Sequence, residues 1–525
     1  MTTKKHVSHR RFSRRQSGIF TKGYDEAGAS LTKRALQGFI PSSGSPNEDI
    51  LRHASTLRQR SRMLMMASPV ATSVIDTYRT KVVGPGLSLK STVDRDVLGL
   101  SAEQAKAIEK QIEAEFSLWA SKKENCDALG ISNFDAIQQL VIKSWLSSGD
   151  NLVLITREPA TKMQPYSLRL HVVEADRIRT PEEYGSGIVS VYTKNARIPD
   201  GKPGAGHMIY DGIEVDERGK VIAYHISNVY PGEWNGEEIK YTRVKAYGEK
   251  TGLPNALFSI ISERPDQYRG VPILSSSIET LVQSRRYTES ELMAALVQSM
   301  FTAWVETGTD QSQIPMNEVG SEEDDTPDDG DFDGENSYEM APGTVLHLAP
   351  GETVKFGSPN IPTAGFESFM KTIFKQIGAG NGLSYEVVMK EFNASYSASR
   401  AVLLEVWENI RMYRKWLVGF LCQPVYELFL TEAVALGRIK APGFFDDPLI
   451  RAAWCKASWI GPVQGSIDPK KEIEADILAI QHGIKTHSQV TRERGGDWDS
   501  NIEQLKHENK RLFDAQRKPK PTPLE

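Results

Sequence analysis

The stretch between residues 366 and 436 constrains the fold more than any other part of the chain. Leu403, Val406, Ile410, Tyr413, Leu417 and Phe420 recur at alternating steps of three and four, which places all six on one face of a long helix. Glu405, Glu408, Arg411 and Lys415 fall on the opposite face, so the apolar face is expected to be buried. A shorter helix precedes it at 366–377. Gly378, Gly380 and Gly382 are expected to stop that helix, because glycine is a poor helix former and takes left-handed backbone angles cheaply. Between the two helices lies a polar run, 383–400. It is long for a helix–helix connection, and long loops tend to be functional. Its cations, Lys390 and Arg400, are opposed by Glu386 and Glu391, a mixture that suits transient rather than tight phosphate contact. On physical grounds alone, an ordinary connection between helices accounts for the same residues.

With 525 residues the chain has room for three or four structural units of roughly 150 residues each. Its mean hydropathy of −0.40 is slightly lean, which suits a modular or elongated protein. No run approaches the roughly 18 consecutive apolar residues of a membrane helix. Residues 1–15 are basic and polar with no apolar stretch after them, unlike a secretory leader. Cys126, Cys422 and Cys455 are odd in number and lack metal-ligand spacing, so a reducing compartment without a disulfide framework is expected. The net charge of −5 hides an uneven distribution, with basic residues clustered before residue 16 and a dense acidic run at 322–335. A chain that gripped DNA tightly would usually be basic overall, and this one is not.

In chain order, residues 1–45 read as a basic flexible arm. Helices are expected over 48–66, 70–81, 102–122 and 134–146, with Ser68-Pro69 opening the second and Asn133 capping the fourth. Ser148-Gly149-Asp150 turns the chain into a strand at 152–156. Residues 151–262 read as mostly β, with short strands at 168–173, 188–192, 208–210, 221–226 and 256–260 separated by turns such as Asp211-Gly212. A long helix opens after Arg269-Gly270-Val271-Pro272 and is expected to end near Gly308. Residues 309–364 form a small separate unit, in which the acidic run precedes strands at 345–348 and 353–356. Beyond Pro442-Gly443, helices are expected to reach 482 from Asp468-Pro469 and to span 501–517. The fold class is α+β.

Catalytic signatures are lacking. No G-x-x-x-x-G-K-[ST] phosphate loop, H-E-x-x-H or G-x-S-x-G occurs, and the ten histidines are scattered. In the acidic run, Asp329, Asp331, Asp333 and Gly334 match positions 1, 3, 5 and 6 of an EF-hand loop, but Met340 stands where a bidentate glutamate belongs. With Asp325 and Asp328, these residues read as a solvated acidic loop that repels phosphate. No metal and no cofactor is expected.

Several segments together resemble the lambda-type family of tailed-phage portal proteins. They are Ala71-Thr72-Ser73-Val74-Ile75-Asp76-Thr77 with Val82-Val83-Gly84-Pro85-Gly86-Leu87, the Ser148-Gly149-Asp150 turn, and Glu174-Ala175-Asp176-Arg177-Ile178. Further on come Gly212-Ile213-Glu214-Val215-Asp216 with Ala223-Tyr224-His225, and Asp266-Gln267-Tyr268-Arg269-Gly270-Val271-Pro272. The last are Gly382-Leu383-Ser384-Tyr385-Glu386 and Asn393-Ala394-Ser395-Tyr396-Ser397-Ala398-Ser399-Arg400-Ala401. Each is weak alone, and their order and spacing are specific. The resemblance implies a portal fold with wing, helical stem, small clip and α-helical crown, assembled as a ring, normally of twelve subunits. Mapped here, after the arm at 1–45, the wing is 46–272, the first stem helix 273–308, the clip 309–364 and the second stem helix 365–382. A tunnel loop at 383–400, a long wing helix at 401–440 and a crown with C-terminal tail at 441–525 complete the chain.

The implied function is a DNA conduit at one capsid vertex, not an enzyme. Glu386, Lys390, Glu391, Asn393, Ser395, Tyr396, Ser397 and Arg400 would face double-stranded DNA. Implied partners are further copies of the chain, terminase, the major capsid and scaffolding proteins, and head-completion and tail connector proteins, with no membrane. The implied location is the virion, and the host cytoplasm during assembly. Two rivals stand beside this reading: a metal-dependent nuclease or hydrolase using the Asp/Glu cluster, and a virion adaptor without a channel.

Overall fold

The computed structural model describes residues 33–39, 41, 44–184, 195–233, 238–299, 303–307, 352–356, 365–392, 395–465 and 469–516. Helix α1 (Pro46–Ala67) starts at its cap. The Ser45 hydroxyl accepts from Glu48 N at 3.1 Å while the Glu48 carboxylate accepts from Ser45 N at 3.3 Å. Ser68 caps α2 (Pro69–Tyr78), which runs into a single π turn, Arg79–Val83. After β1 (Ser88–Ser91) and α3 (Arg95–Leu98), α4 (Ala102–Ala120) buries Ile112, Phe116 and Trp119. Phe116 meets Phe134, Tyr426 and Phe429 edge to face, with centroids 5.2–6.0 Å apart. A short α5 (Lys123–Cys126) leads to α6 (Phe134–Ser148), capped by Asn133.

Two antiparallel sheets follow. In the first, β2 (Asp150–Arg157) is central between β3 (Leu168–Glu174) and β9 (Ala256–Ile260), pairing Leu152 with both Val173 and Phe258. The second is a meander of β4 (Asn195–Arg197), β5 (Met208–Tyr210), β6 (Ile213–Val215), β7 (Val221–Ser227) and β8 (Tyr241–Lys245). Leu152 and Val173 of the first sheet share a core with Ile213, Val215 and Ile226 of the second. Strands β6 and β8 escape the sequence pattern, one being three residues long and the other carrying Arg243 and Lys245. The strand expected at 188–192 lies outside the described residues.

The long helix expected to end near Gly308 ends earlier. Helix α7 (Ile278–Ser299) is followed by strand β10 (Ala303–Thr307), which pairs antiparallel with β11 (Glu352–Phe356), Val305 opposite Val354. Trp304, Val305 and Thr307 are aromatic or β-branched and suit a strand once a partner is present, and that partner lies far along the chain. Helix α8 (Phe366–Gly380) does not stop at Gly378. A β-carbon there would stand 2.7 Å from the Leu383 carbonyl oxygen, so Gly378 admits the returning chain against the helix. Gly382, at φ +66°, makes the turn.

The 383–400 segment is not one loop. Helix α9 (Tyr385–Met389) occupies its first part, and α10 (Tyr396–Leu417) begins inside the polar run. Helix α10 passes through a π turn, Val418–Cys422, into α11 (Gln423–Ala435). Pro424 has no N–H to continue the regular ladder, which accounts for the turn. The continuous stretch Ala398–Ala435 is long and apolar enough to cross a membrane by length and composition, and half of its most apolar window is buried inside the protein. Val406, Ile410 and Leu417 are buried, Leu403, Tyr413 and Phe420 pack against the same core, and Glu405, Glu408, Arg411 and Lys415 are exposed.

Residues after 441 do not leave the core at once. Helix α12 (Pro448–Trp454) leads to β12 (Ala457–Ile460), which pairs with β1, and Phe444, Trp454 and Cys455 are buried. Helices α13 (Pro469–Gln481), α14 (His487–Glu493) and α15 (Trp498–Gln516) complete the described chain.

Candidate functional site

Two places bring the sequence motifs together. The first is the segment between α8 and α10. Leu383, Val387 and Val388 are buried and anchor it. The Tyr78 hydroxyl donates to Asn381 O at 2.7 Å, Ser73 Oγ to Val388 O at 2.6 Å, and Asn409 Nδ2 to Gly382 O at 2.9 Å. Ser73 and Tyr78 of α2 therefore hold the segment from one side, and Asn409 holds it from α10.

The charged residues on this anchored base differ in their freedom. Glu391 accepts from the Tyr385 hydroxyl at 2.8 Å, which raises the pKa of that phenol. Arg400, in the second turn of α10, reaches Glu472 of α13 at 3.7 Å. Glu386 is half-buried on α9. Lys390 stands apart. It closes α9 in the left-handed conformation at φ 58°, is exposed, and pairs with no carboxylate among the described residues. It lines two grooves that it shares with Asp76, one also lined by Met66 and Thr72 and the other by Thr80, Lys81 and Phe392. Ser395 is exposed just before α10, and Tyr396 and Ser397 form the helix's first turn. Asn393 lies outside the described residues, as do Asp325, Asp328, Asp329, Asp331 and Asp333.

The second place is a buried ionic joint. Arg269 is fully buried and donates to both oxygens of Asp150, at 2.8 and 3.0 Å, to Asp211 Oδ2 at 2.8 Å, and to the carbonyls of Ala175 and Ile178. Burial opposes its charge, but Asp150 and Asp211 outweigh burial and its pKa is raised. Arg58 of α1 reaches Asp176 and Asp211 at 3.4 and 3.3 Å, and Arg62 pairs with Glu174 and Asp176. A β-carbon on Gly270 would stand 1.9 Å from Gly149 O, so two backbones touch where the carboxylate meets the guanidinium. Ser148-Gly149-Asp150, Glu174–Ile178, Asp211-Gly212 and Arg269-Gly270 thus converge on one joint between α1 and both sheets.

These motifs are visible in the sequence, but nothing local in it shows that they touch. The available signal was an ionisable residue beside a glycine in three of them. A second unforeseen cluster sits on the five-stranded sheet. Glu214 is fully buried and accepts two hydrogen bonds from Arg243, at 2.7 and 2.8 Å, one from His207 Nδ1 at 2.7 Å and one from His225 Nε2 at 3.1 Å. Burial would raise its pKa, but these donors outweigh burial and hold it down at about 2. Arg414 of α10 donates to the carbonyls of Lys81, Val82 and Pro462 at 2.7–2.9 Å, and burial lowers its pKa to about 10. Among the described residues, no group of three or more His, Cys, Asp or Glu is placed to hold a metal ion, and the three cysteines are buried and free.

Residues 32–414 match the family model described as phage portal protein, lambda family. The chain belongs to that family. This portal-family chain is similar to the portal protein of Escherichia phage N15, with 23% identity over 490 residues, 91% of this chain and 88% of that protein. It is similar to portal protein B of Escherichia phage lambda, with 22% identity over 491 residues, 91% and 87% of the two. Among solved structures it is similar to a chain in the neck of a native gene transfer agent particle computed with C12 symmetry. That match has 12% identity and a TM-score of 0.40, covering 83% of this chain and 92% of that one. The portal family match ends inside α10. The buried side chains of α11, among them Val425, Tyr426 and Phe429, continue the same core beyond it.

Proposed function

We propose that copies of this portal-family chain close into a ring, twelve-fold by the family's pattern, at one vertex of a phage capsid, and that DNA passes through its centre during packaging and ejection. The ring would dock terminase while DNA enters and head-completion and tail proteins afterwards, and would contact the capsid and scaffolding proteins during assembly in the host cytoplasm. The family match over residues 32–414 carries this reading. The segment 383–400 is assigned to the channel wall, with Lys390 as its exposed cation. What supports the assignment is a base anchored by the buried Leu383, Val387 and Val388 that carries the exposed Lys390, which has no carboxylate partner among the described residues.

The chemistry is that of a conduit. Twelve copies at −5 sum to about −60, while duplex DNA carries about one negative charge per 1.7 Å. A wall with sparse cations meets phosphate without holding it, so the duplex can slide. The sequence has no phosphate loop, so the work of translocation is assigned to the terminase partner. Negative-stain images of the purified protein test the ring. Packaging measured with a variant lacking residues 385–396 tests the segment: intact rings with normal packaging would remove it from the channel role.

A further inference from the structure

We infer that the arginine-rich part of the N-terminal arm, residues 10–15, docks in a cavity of its own chain, where α2, α6 and α10 meet the end of α8. The cavity holds about 350 Å³, within the range of sites that take a small ligand or a long side chain. Tyr78, Trp145 and Tyr413 line it, the Tyr413 ring centroid lying 4.7 Å from that of Tyr78 and 5.9 Å from that of Trp145. Glu263 stands exposed on the same wall and is the only charged side chain there among the described residues. It pairs with no cation among them. Burial, and after it the Glu263 carboxylate, push the Tyr413 phenol up to about 12. Asn381 and Ser275, also on the wall, keep buried oxygens, Oδ1 and Oγ, that have no hydrogen-bond partner among the described residues. Aromatic rings, an unpaired carboxylate and spare acceptors suit a planar cation with many N–H donors, which is arginine rather than lysine.

The chain's own course names the occupant. Glu263 belongs to the turn 263–267, in which Gln267 Oε1 accepts from Glu263 N at 2.8 Å and from Arg264 N at 3.1 Å. The same turn holds the point where the arm enters the fold. Arg264 donates to Gly44 O at 3.1 Å and pairs with Asp49, and Asn47 Nδ2 donates to Asp266 O at 3.0 Å. Arg264 is thereby committed to the root of the arm, and the carboxylate beside it is left for another cation. Residues 1–32 lie outside the described residues. They carry Arg10, Arg11, Arg14 and Arg15 within six positions, against Asp25 and Glu26 as their acidic residues. Residues 16–43 are long enough to bring those arginines back to the turn, at up to roughly 3.3 Å per residue. A docked arm also bears on Gly380-Asn381-Gly382, the wall that leads into the 383–400 segment.

The test uses the full-length chain with Ser13→Cys and Met412→Cys, singly and together, treated with a short thiol crosslinker. Ser13 lies among the arginines and Met412 is exposed on the cavity wall, so the arginines and Glu263 are all kept. The three native cysteines are buried, so background linking is low. Mass spectrometry of the monomer band should find a link between positions 13 and 412 in the double variant. Adding Glu263→Gln should slow linking roughly two- to fivefold, the weight of a partly exposed charge pair, and Glu263→Arg should slow it further. Absence of the link, or a link whose rate Glu263→Arg leaves unchanged, would overturn the docking. Links found only between chains would give the cavity to a neighbour's arm and overturn docking within one chain. A melting shift with spermidine that Glu263→Gln abolishes, seen without the link, would give the cavity to a free polyamine and overturn it too.

Discussion

Replacing Arg269 with methionine isolates the cost of leaving Asp150 buried without its partner. Both side chains are fully buried, and the guanidinium forks onto both carboxylate oxygens while also serving Asp211 and the carbonyls of Ala175 and Ile178. Breaking a buried pair from one side costs about 3–5 kcal/mol, because the remaining charge is uncompensated. For a folded unit of about 200 residues, 1 kcal/mol moves the melting midpoint roughly 2–4 °C, so a fall of roughly 6–20 °C is expected. Circular dichroism melting reads the midpoint, and hydrogen exchange should show protection lost first in β2 and β9. Arg269→Lys keeps the charge but loses the fork, and should fall between. Removing both charges, with Arg269→Met and Asp150→Leu, should recover part of the loss. A methionine variant melting within about 2 °C of wild type, with β2 and β9 still protected, would refute the claim that this joint ties α1 to the two sheets.

The remaining expectations concern smaller perturbations. Gly270→Ala puts a β-carbon 1.9 Å from Gly149 O and should leave little soluble protein, whereas Gly419→Ala, with nothing within 4 Å, should leave the melting midpoint unchanged or slightly higher. Glu214, held down at about 2 against an ordinary 4.5, contributes stability that is complete above about pH 4.5 and is lost as pH falls toward 2. Melting scans should show that acid limb in wild type and a flatter profile in Glu214→Gln. Lys390→Glu should leave rings intact and reduce packaged DNA in a packaging assay, and full packaging would argue against its role. Leu403→Asp with Ile410→Asp should abolish soluble assembly, since an unpaired charge at the fully buried Ile410 costs several kcal/mol, and size-exclusion chromatography reads the outcome.

Much of the helical body was legible because its signals are local. Ser68-Pro69 and Asn133 announce helix starts, and the steps from Leu403 to Phe420 announce a buried face. Elements that depend on distant partners were not legible. Strand β10 continues the chain after a helix with little break in pattern, and only Glu352–Phe356 makes it a strand. Strand β12 needs β1, more than 300 residues earlier. Gly378 and Gly380 carry a stop signal, but Gly378 serves close packing against Leu383 instead. The motifs that marked the family could be recognised before their contacts were known, since burial of Arg269 and Glu214 depends on how two sheets stack.

A cryo-electron microscopy reconstruction of the purified full-length chain tests the central claim most directly. The account predicts a closed ring around an opening wide enough for duplex DNA, with Lys390 of every subunit on its inner surface. A monomer, or a ring whose 383–400 segments lie on the outer wall, would contradict it.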